Sequence, residues 1–503
     1  MLNADEAVAL IPDGAVLAYS GFGAMAHPEQ LSAALERRFV ATGQPQGLGL
    51  VFAAGQGGTE DNGINHLAHQ GLLSWIIGGH YGRSPKIMRM AAEGGCAAYN
   101  LPQGVITQLC REAAAKRPGL LTSVGLGTFV DPRLEGGKLN VITHEELVEV
   151  VEMAGREWLF YKTPAITVAM IRGTYADEWG NISTAKEAVH TEALATAQAA
   201  HNAGGLVLVQ VEKIVPAGSL HPKQVRIPGF LVDVVVLDPT QRQTKGTQYN
   251  PAFSGDARAV LSGLLPLPLN ERKVIARRAA QELKPGMIIN LGLGMPEGVG
   301  TIAAEEGRSE DFVLTLECGP IGGVPQSADN FGASINPIAI IEQTAQFDFY
   351  GGGGLDLSCL GLAEADAHGN INVSRFGPTI AGCGGFIDIS QNTREVVFCG
   401  TLTAGGLKTE VGDGRIEIVQ EGRQQKFVQQ VEQVTFSGEY ARQQGQRVLY
   451  VTERAVFEMR PDGLTLIELA PGLDLERDVL RHMQFRPHIA QDLRQMDEAL
   501  FKE

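Results

Sequence analysis

The sequence lacks the cysteine spacing of a disulfide-rich or zinc-binding protein. Its 503 residues include six cysteines and no C-x-x-C pair, which is typical of free thiols in a reducing compartment. They are Cys96, Cys110, Cys318, Cys359, Cys383 and Cys399. His66 and His69 lie near Asp61 and His80, but no cysteine or second pair completes a tetrahedral set, so we predict no metal site.

The sequence also lacks a basic cluster and a long apolar run. With a formal net charge of −16 the chain repels polyanions, so we expect no nucleic-acid partner, and an anionic ligand would need a local site. No apolar run reaches the ~18 residues of a membrane span. The acidic residues Asp5 and Glu6 stand where a secretory signal needs basic ones. We therefore expect a cytoplasmic protein with no membrane partner.

The sequence has a globular composition, with 44% hydrophobic and 19% charged residues. Short apolar runs alternate with helical patterns, which predicts α/β layers with largely parallel sheets. After the first run, Pro28 opens a stretch with Leu31, Leu35 and Phe39 at helical spacing. The predicted buried strands are residues 15–19, 234–237, 287–291, 312–316 and 395–398.

Two segments of the chain repeat each other. An apolar strand followed by Gly21-Phe22-Gly23 is echoed by a strand followed by Gly292-Leu293-Gly294, and residues 177–182 match residues 366–371. We predict two related open α/β domains fused in one chain, with an insertion in the first. The proline-broken stretch 264–270 is the best linker, which gives domains 1–265 and 266–503.

Glu317 is the main candidate for chemistry. It follows the predicted strand 312–316 and precedes a glycine-rich stretch that leaves space above it. The carboxyl end of a strand is where ligands bind in open α/β sheets. One alternative is that Glu317 only caps a turn. Another is that Cys318 is the nucleophile, although a cysteine in such a place is more often a small buried thiol.

Several glycine-rich turns are further candidates. Gly292, Leu293, Gly294, Met295 and Pro296 precede Glu297, where a dinucleotide fingerprint requires glycine, so a nicotinamide site is weakly supported. The turn and the helix N-terminus after it could still bind a phosphate or carboxylate through free backbone N–H groups. The alternative is a plain tight turn with no ligand. The clusters at 348–356 and 381–386 are either hairpins and bulges or a pocket floor whose amides face an oxyanion.

The region from Glu317 to Gly406 resembles the short-chain acyl-CoA:carboxylate CoA-transferases of family I, which act on propionate or acetate. The resemblance extends to the N-terminal half and so spans most of the chain. Its motifs are NLPQG (100–104), GLGT (125–128), ECG (317–319), GGVP (322–325), FGAS (331–334), FDFY (347–350), GNINVSRFG (369–377) and AGGLK (404–408). Two departures are Cys318, where Ser or Asn is usual, and Gly405, where distant members carry a basic residue.

The resemblance implies roles for individual residues. Glu317 is the covalent nucleophile, and the Gln103 amide and Gly385 N–H form the oxyanion hole. The N-terminal domain would supply the carboxylate and oxyanion side, and the C-terminal domain the nucleophile and CoA side. The residues expected to contact CoA are Gly292, Leu293, Gly294, Met295, Pro296 and Lys408.

The implied function is transfer of CoA from a short-chain acyl-CoA to a free carboxylate, with ping-pong kinetics through a glutamyl-CoA thioester on Glu317. Acyl-CoA and short carboxylates would be its partners, with CoA as a substrate and no permanent cofactor. The family also implies a homo-oligomer, a tetramer. The alternatives are an acyl-CoA hydrolase, in which water resolves the thioester, and a non-catalytic metabolite-binding protein on the same fold.

Overall fold

The structure is a computed structural model that describes residues 1–23, 25–261 and 266–503. The chain forms two compact units. Unit 1 consists of Met1–Ala259, Leu316–Asp348 and Phe376–Asp388, and unit 2 of Val260–Thr315, Phe349–Arg375 and Ile389–Glu503. Residues 264 and 265 of the predicted linker, and with them the predicted boundary, lie outside the described residues, so the domain limits stay a prediction.

Helices and strands alternate along most of the chain. The helices are α1 (Ala4–Ala9), α2 (Glu29–Thr42), α3 (Pro85–Ala92), α4 (Gln103–Ala114), α5 (Ala193–Asn202), α6 (Pro251–Ser254), α7 (Glu271–Ala280), α8 (Glu297–Glu305), α9 (Gln343–Gly351), α10 (Phe386–Asn392) and α11 (Gly438–Gln443). The strands of the first half are β1 (Val16–Tyr19), β2 (Leu48–Phe52), β3 (Leu73–Gly78), β4 (Ala97–Asn100), β5 (Gly119–Thr122), β6 (Val148–Met153), β7 (Arg156–Lys162), β8 (Val168–Asp177), β9 (Ile182–Ser183), β10 (Leu206–Val215), β11 (Val225–Ile227) and β12 (Val234–Leu237). Those that follow are β13 (Ile288–Leu291), β14 (Val313–Thr315), β15 (Pro320–Ile321), β16 (Val324–Pro325), β17 (Ser334–Ile335), β18 (Ala339–Ile340), β19 (Leu357–Gly361), β20 (Glu364–Ala365), β21 (Ile371–Asn372), β22 (Arg375–Phe376), β23 (Thr379–Ile380), β24 (Glu395–Cys399), β25 (Thr403–Ala404), β26 (Lys408–Gly412), β27 (Arg415–Gln420), β28 (Gln424–Gln425), β29 (Arg447–Val451), β30 (Ala455–Arg460), β31 (Gly463–Leu469) and β32 (His488–Gln495).

The main sheet of unit 1 is parallel along the path β12-β10-β8-β1-β2-β3-β4. Its central strands are apolar and buried, as parallel strands with two covered faces require. The chain adds β2, β3 and β4 on one side of β1, and then β8, β10 and β12 on the other. The strand order therefore reverses between β1 and β8, and ligands of open α/β sheets bind at the carboxyl ends beside such a point.

A separate antiparallel sheet, β5-β7-β6, stands apart from the main sheet of unit 1. Its strands lie between β4 and β8 in the sequence, within the stretch where the first repeat is longer than the second. The predicted insertion therefore contains this sheet.

The main sheet of unit 2 follows the same plan. The strands β14, β13, β19, β24 and β29 are parallel neighbours in that order, so the order reverses beside β13. The antiparallel strands β30 and β31 and then β32 extend one edge. The predicted architecture of two related open α/β domains is confirmed, and each predicted buried strand falls on an observed one.

The second sequence repeat forms the same turn in each unit. Asp177 and Asp366 each accept hydrogen bonds from the backbone amides two and four residues later, and from the asparagine side chain four residues later, at 2.9 to 3.1 Å. Gly180 and Gly369 supply the positive φ of the turn, 82° and 77°. The sequence match therefore reflects one local hydrogen-bonding pattern used twice.

All six cysteines are buried free thiols. Within the described part of the chain, no helix combines the length and the hydropathy needed to cross a bilayer.

Candidate active site

Glu317 lies at the tip of a tight turn in unit 1. The Leu316 N–H donates to the Pro320 carbonyl at 2.9 Å, and the Gly319 N–H donates to the Leu316 carbonyl at 3.0 Å. Gly319 has φ +121°, and a Cβ there would stand 2.1 Å from the Ile341 carbonyl oxygen, so only glycine closes this turn. The turn leaves Glu317 partly exposed, and no donor among the described residues is hydrogen-bonded to its carboxyl group.

The neighbouring Cys318 is a core residue. Its side chain packs in an apolar cluster with Phe22, Met25 and Ala333, and its Sγ donates to the Gly332 carbonyl at 3.2 Å. Burial raises the pKa of the Cys318 thiol well above its ordinary value, with the Glu317 charge adding to the effect. A thiol held in its neutral form is a poor nucleophile, which favours the carboxyl group beside it.

The surroundings of Glu317 make its carboxylate less stable than in water. Burial raises the pKa of Glu317 to about 7, and the positive charge of Arg83 partly opposes that rise. The guanidinium of Arg83 lies 4.8 Å from the centre of the Phe331 ring, and that ring is tilted by 38° to the Phe22 ring, with 5.3 Å between the two centres. Near neutral pH the Glu317 carboxyl group is therefore poised between its two protonation states.

Gln103 and Gly385, the two predicted oxyanion donors, lie on adjoining segments of unit 1. The Gln103 backbone N–H donates to the Gly384 carbonyl at 2.9 Å. The Gln103 side chain is only 2% exposed, yet its Nε2 has no hydrogen-bond partner in the described residues. A buried donor without a partner costs free energy in the resting protein, and such donors recur at functional sites. The structure therefore brings these two predicted residues together.

The glycine segment of residues 382–385 is held against the carboxyl ends of β3 and β4. The Cys383 N–H donates to Asn100 Oδ1 at 2.9 Å, and the Gly384 N–H donates to the Gly79 carbonyl at 2.7 Å. Asn100 Nδ2 in turn donates to the carbonyls of Gly78 and Gly79. The cluster at 381–386 is thus a fixed backbone loop at the edge of the parallel sheet, where Gly384 adopts φ +52°.

Asp388 and His80 also lie at this edge, and neither was predicted. Asp388 Oδ2 accepts the Gly104 N–H at 3.0 Å. Burial, with a smaller contribution from the Glu317 charge, raises the pKa of Asp388 to about 8, although the hydrogen bond from the Gly104 N–H partly opposes that rise. Burial and Arg83 together lower the pKa of His80 to about 4, so its imidazole is neutral. No local pattern in the sequence indicates Asp388, because its partner Gly104 lies 284 positions away.

The predicted CoA-contact residues lie in unit 2. Gly292 closes β13 by donating its N–H to the Cys359 carbonyl at 2.8 Å, and Pro296 caps α8. Leu293 and Gly294 are exposed, and no atom lies within 4 Å of a Cβ built on Gly294. The turn therefore offers open backbone ahead of a helix N-terminus, as predicted from its sequence.

Lys408, the predicted basic contact, is exposed at the start of β26, which pairs with β27. A second lysine of unit 2, Lys426, was not predicted. Burial lowers its pKa to about 8, against the opposing charge of Glu453. A Cβ on Gly400, just past the carboxyl end of β24, would stand 2.7 Å from Lys426 Nζ.

Two further sequence candidates have structural roles. The glycine cluster after Asp348 ends α9: the Gly353 N–H donates to the Tyr350 carbonyl and the Gly354 N–H to the Phe349 carbonyl, each at 2.9 Å. The pair His66 and His69 is bridged by Glu36, with His69 Nε2 2.7 Å from Glu36 Oε1. Within residues 1–23, 25–261 and 266–503, no group of three such side chains is arranged to hold a metal ion.

Comparisons with known proteins assign the chain to a family. Residues 1–238 match the family model described as coenzyme A transferase. The acetate CoA-transferase YdiF of Escherichia coli K12 is 48% identical over 503 residues, covering 100% of this chain and 95% of that protein. The caffeate CoA-transferase of Acetobacterium woodii is also 48% identical, over 510 residues, covering 100% of this chain and 97% of that protein.

Solved structures extend the match to the fold. The apoenzyme of the acyl-CoA transferase YdiF from E. coli O157:H7 has a TM-score of 0.95 at 48% identity, covering 100% of this chain and 96% of that one. A thioester complex of that enzyme with CoA has a TM-score of 0.94 at 48% identity, covering 99% of this chain and 95% of that one. The chain belongs to family I of the coenzyme A transferases and is a CoA-transferring enzyme.

Proposed function

We propose that this enzyme transfers CoA from a short-chain acyl-CoA, of the acetate and propionate class, to a free carboxylate, with Glu317 as the covalent nucleophile. The observation that carries the proposal is the chemistry of one edge of unit 1. There a carboxyl group without a hydrogen-bond partner, Glu317, shares its surroundings with Arg83, and the Gln103 amide is buried without a partner.

The first half-reaction has two steps. A Glu317 carboxylate oxygen attacks the acyl carbonyl carbon, the C–S bond breaks, and CoA leaves as the thiolate while an acyl-glutamyl anhydride forms. The thiolate then attacks the Glu317 carbonyl carbon, and the donor carboxylate leaves. The product is a glutamyl-CoA thioester, and an acceptor carboxylate reverses both steps to leave as the new acyl-CoA. This sequence requires ping-pong kinetics.

Each tetrahedral intermediate develops an oxyanion that needs hydrogen-bond donors. The Gln103 amide and the Gly385 N–H suit that role because each lacks a protein acceptor in the described residues. The loss of one such donor typically raises a barrier by about 2.7 to 4 kcal/mol. A carboxylate in a partly desolvated site, with its pKa raised to about 7, is also less strongly solvated than one in water, which suits a nucleophile.

CoA serves as a substrate in this scheme, and no permanent cofactor is needed. By family resemblance, the turn Gly292–Pro296 and Lys408 contact CoA. The thioester complex of E. coli YdiF with CoA supports a covalent CoA intermediate. Unit 2 supplies an exposed glycine turn ahead of α8, which is suited to an anionic or amide group of such a ligand.

Two relatives at equal identity are named for different acids, acetate and caffeate, so similarity alone does not indicate the acyl group. The proposed short-chain preference therefore rests on the surroundings of Glu317. The Phe331 ring contacts both Phe22 and the Arg83 guanidinium, and the charge of Arg83 interacts with Glu317. We propose that this ring forms a wall of the acyl site and so favours a small acyl group. We also propose that the enzyme is a homo-oligomer, a tetramer, on the strength of family resemblance, and that it is cytoplasmic.

The test of this function is acceptor dependence. The enzyme is incubated with propionyl-CoA, with and without acetate, while propionyl-CoA, acetyl-CoA and free CoA are quantified by chromatography. We expect acetyl-CoA to form in step with propionyl-CoA loss. Double-reciprocal plots of initial rate against propionyl-CoA, at several fixed acetate concentrations, should give parallel lines. Steady release of free CoA at a rate that acetate does not change would instead identify an acyl-CoA hydrolase.

A further inference from the structure

The first turn of α4 is held by two consecutive hydrogen bonds to one segment of unit 1. The Gln103 N–H donates to the Gly384 carbonyl at 2.9 Å, and the Gly104 N–H donates to Asp388 Oδ2 at 3.0 Å. The N-cap of α4 is Pro102, whose side chain makes no capping hydrogen bond. Asp388, distant in sequence, therefore satisfies an amide that a local cap would otherwise bind.

These two bonds are made by residues that adjoin both proposed oxyanion donors. Gln103 directly precedes Gly104, and Gly385 lies between Gly384 and Asp388 in the sequence. Because no protein acceptor among the described residues holds the Gln103 amide, its direction depends on the backbone that carries it. The position of that backbone depends in turn on the two clamping bonds.

The packing around Gly104 is adapted to the carboxyl group of Asp388. A Cβ on Gly104 would stand 2.4 Å from Asp388 Oδ1 and 2.7 Å from the Phe347 ring. Asp388 itself is only 2% exposed. Burial raises its pKa to about 8, so at neutral pH the carboxyl group is mostly uncharged and adds little negative charge beside a developing oxyanion.

We propose that Asp388 is a positioning residue that fixes the first turn of α4 against residues 384–388, so that the Gln103 amide and the Gly385 N–H meet the same oxyanion. Asp388 acts through Gln103 and does not touch the substrate. This inference rests on the proposed function, because it assigns a support to the oxyanion hole of that reaction.

The test compares Asp388→Ala with Asp388→Asn in the full-length enzyme. We expect Asp388→Ala to lower kcat about 10- to 10²-fold, because a displaced donor stabilises the transition state poorly, with the KM for acetyl-CoA within about twofold. Asp388→Asn keeps an acceptor oxygen without charge and should restore kcat to within about threefold of wild type. If Asp388→Ala does not fold, Asp388→Ser, which retracts the oxygen, should show the same split between kcat and KM.

A double-mutant cycle separates positioning from general stabilisation. In the Gln103→Ala background, Asp388→Ala should cost less than about threefold in kcat, since the group it positions is gone. Losses that multiply independently would overturn the proposal, as would an Asp388→Ala enzyme with unchanged kcat. The proposal would also be overturned if the loss of kcat were fully explained by a smaller folded fraction of the variant, measured by circular dichroism.

Asp177→Ala is the matched control. Asp177 is another buried carboxyl group of unit 1 that accepts backbone amides, at 2.9 and 3.0 Å. Its loss should lower the Tm and leave kcat unchanged. A wild-type enzyme that transfers no CoA would refute the proposed function itself. A wild-type enzyme that transfers CoA, beside an Asp388→Ala variant with normal kcat, would refute only the role of Asp388.

Discussion

Among single residues, Glu317 matters most, because the proposed chemistry depends on the position of its carboxyl group. The tight turn closed by Gly319 fixes the backbone at this point, so the length of the side chain decides how far the carboxylate reaches. Neither neighbour can replace it. Cys318 is buried with a raised thiol pKa, and Leu316 is apolar.

Glu317→Asp tests this dependence on reach. Removing one methylene withdraws the carboxylate by about 1 Å, and a misplacement of that size can cost about 10²-fold when attack needs near-contact geometry. We therefore expect Glu317→Asp to transfer CoA nearly as poorly as Glu317→Ala, with residual activity shifted toward hydrolysis. The assay follows acyl-CoA loss with and without propionate. Transfer at a near wild-type rate would mean that Glu317 acts only through its charge.

The pKa of Glu317 gives the reaction a predicted pH dependence. Only the carboxylate form is nucleophilic, and the pKa is raised to about 7, so kcat/KM for acetyl-CoA should fall as the pH drops below about 7. Arg83 lowers this pKa, so Arg83→Gln should move the acid limb to higher pH. The check is a profile from about pH 5 to about pH 9. A flat profile on the acid side would exclude Glu317 as the group that titrates.

Phe331 is expected to limit the acyl group. Replacing its ring by the methyl of alanine removes the wall held by Phe22 and Arg83. Phe331→Ala should raise kcat/KM for a bulky hydroxycinnamoyl-CoA relative to acetyl-CoA by about 10-fold or more. Phe230→Ala, which alters a phenylalanine that is 76% exposed in unit 1, is the control. An unchanged ratio in Phe331→Ala would remove this residue from specificity.

Among the helices and strands, α4 matters most for the chemistry, because its first turn carries Gln103 and is held by the packing around Gly104. Gly104→Ala tests that link, because alanine normally favours a helix by about 0.8 to 1.0 kcal/mol over glycine. Here the new Cβ would meet Asp388 Oδ1 at 2.4 Å, so we expect both the Tm and kcat to fall. In Gly300→Ala of α8 the nearest atom is a flexible Leu291 methyl at 3.2 Å, and activity should be retained. A more stable Gly104→Ala enzyme with normal kcat would contradict the packing described.

The elements that the sequence predicted well are those set by local rules. The strands and α2 follow from apolar periodicity. The match between the segments at Asp177 and Asp366 was found in the sequence, and the structure shows that it reflects side chains that bond to their own backbone. The glycine cluster at 348–356 shows the limit of such rules. Its glycines end α9, and composition alone did not distinguish a helix end from a pocket floor.

At the scale of the whole molecule, the two parallel sheets with equivalent strand reversals agree with the repeats found in the sequence. The assignment of segments to units could not be predicted. Leu316–Asp348 and Phe376–Asp388 pack with the N-terminal 259 residues because of contacts hundreds of positions apart, and periodicity carries no record of such contacts. Local patterns in the sequence indicated Glu317, by its place after a strand, and the glycine cluster at 381–386, whereas Gln103 was indicated only by a family motif and Asp388 was missed.

The glutamyl-CoA thioester is tested most directly by the mass of the enzyme after mixing with acetyl-CoA in the absence of an acceptor. We predict a CoA adduct, with loss of water, on the peptide that contains Glu317, together with one equivalent of released acetate. Added propionate should discharge it as propionyl-CoA, and Cys318→Ala should form it as well as wild type. An enzyme that turns over but carries only an acetyl group on Cys318, or no adduct at all, would contradict the glutamyl-CoA thioester.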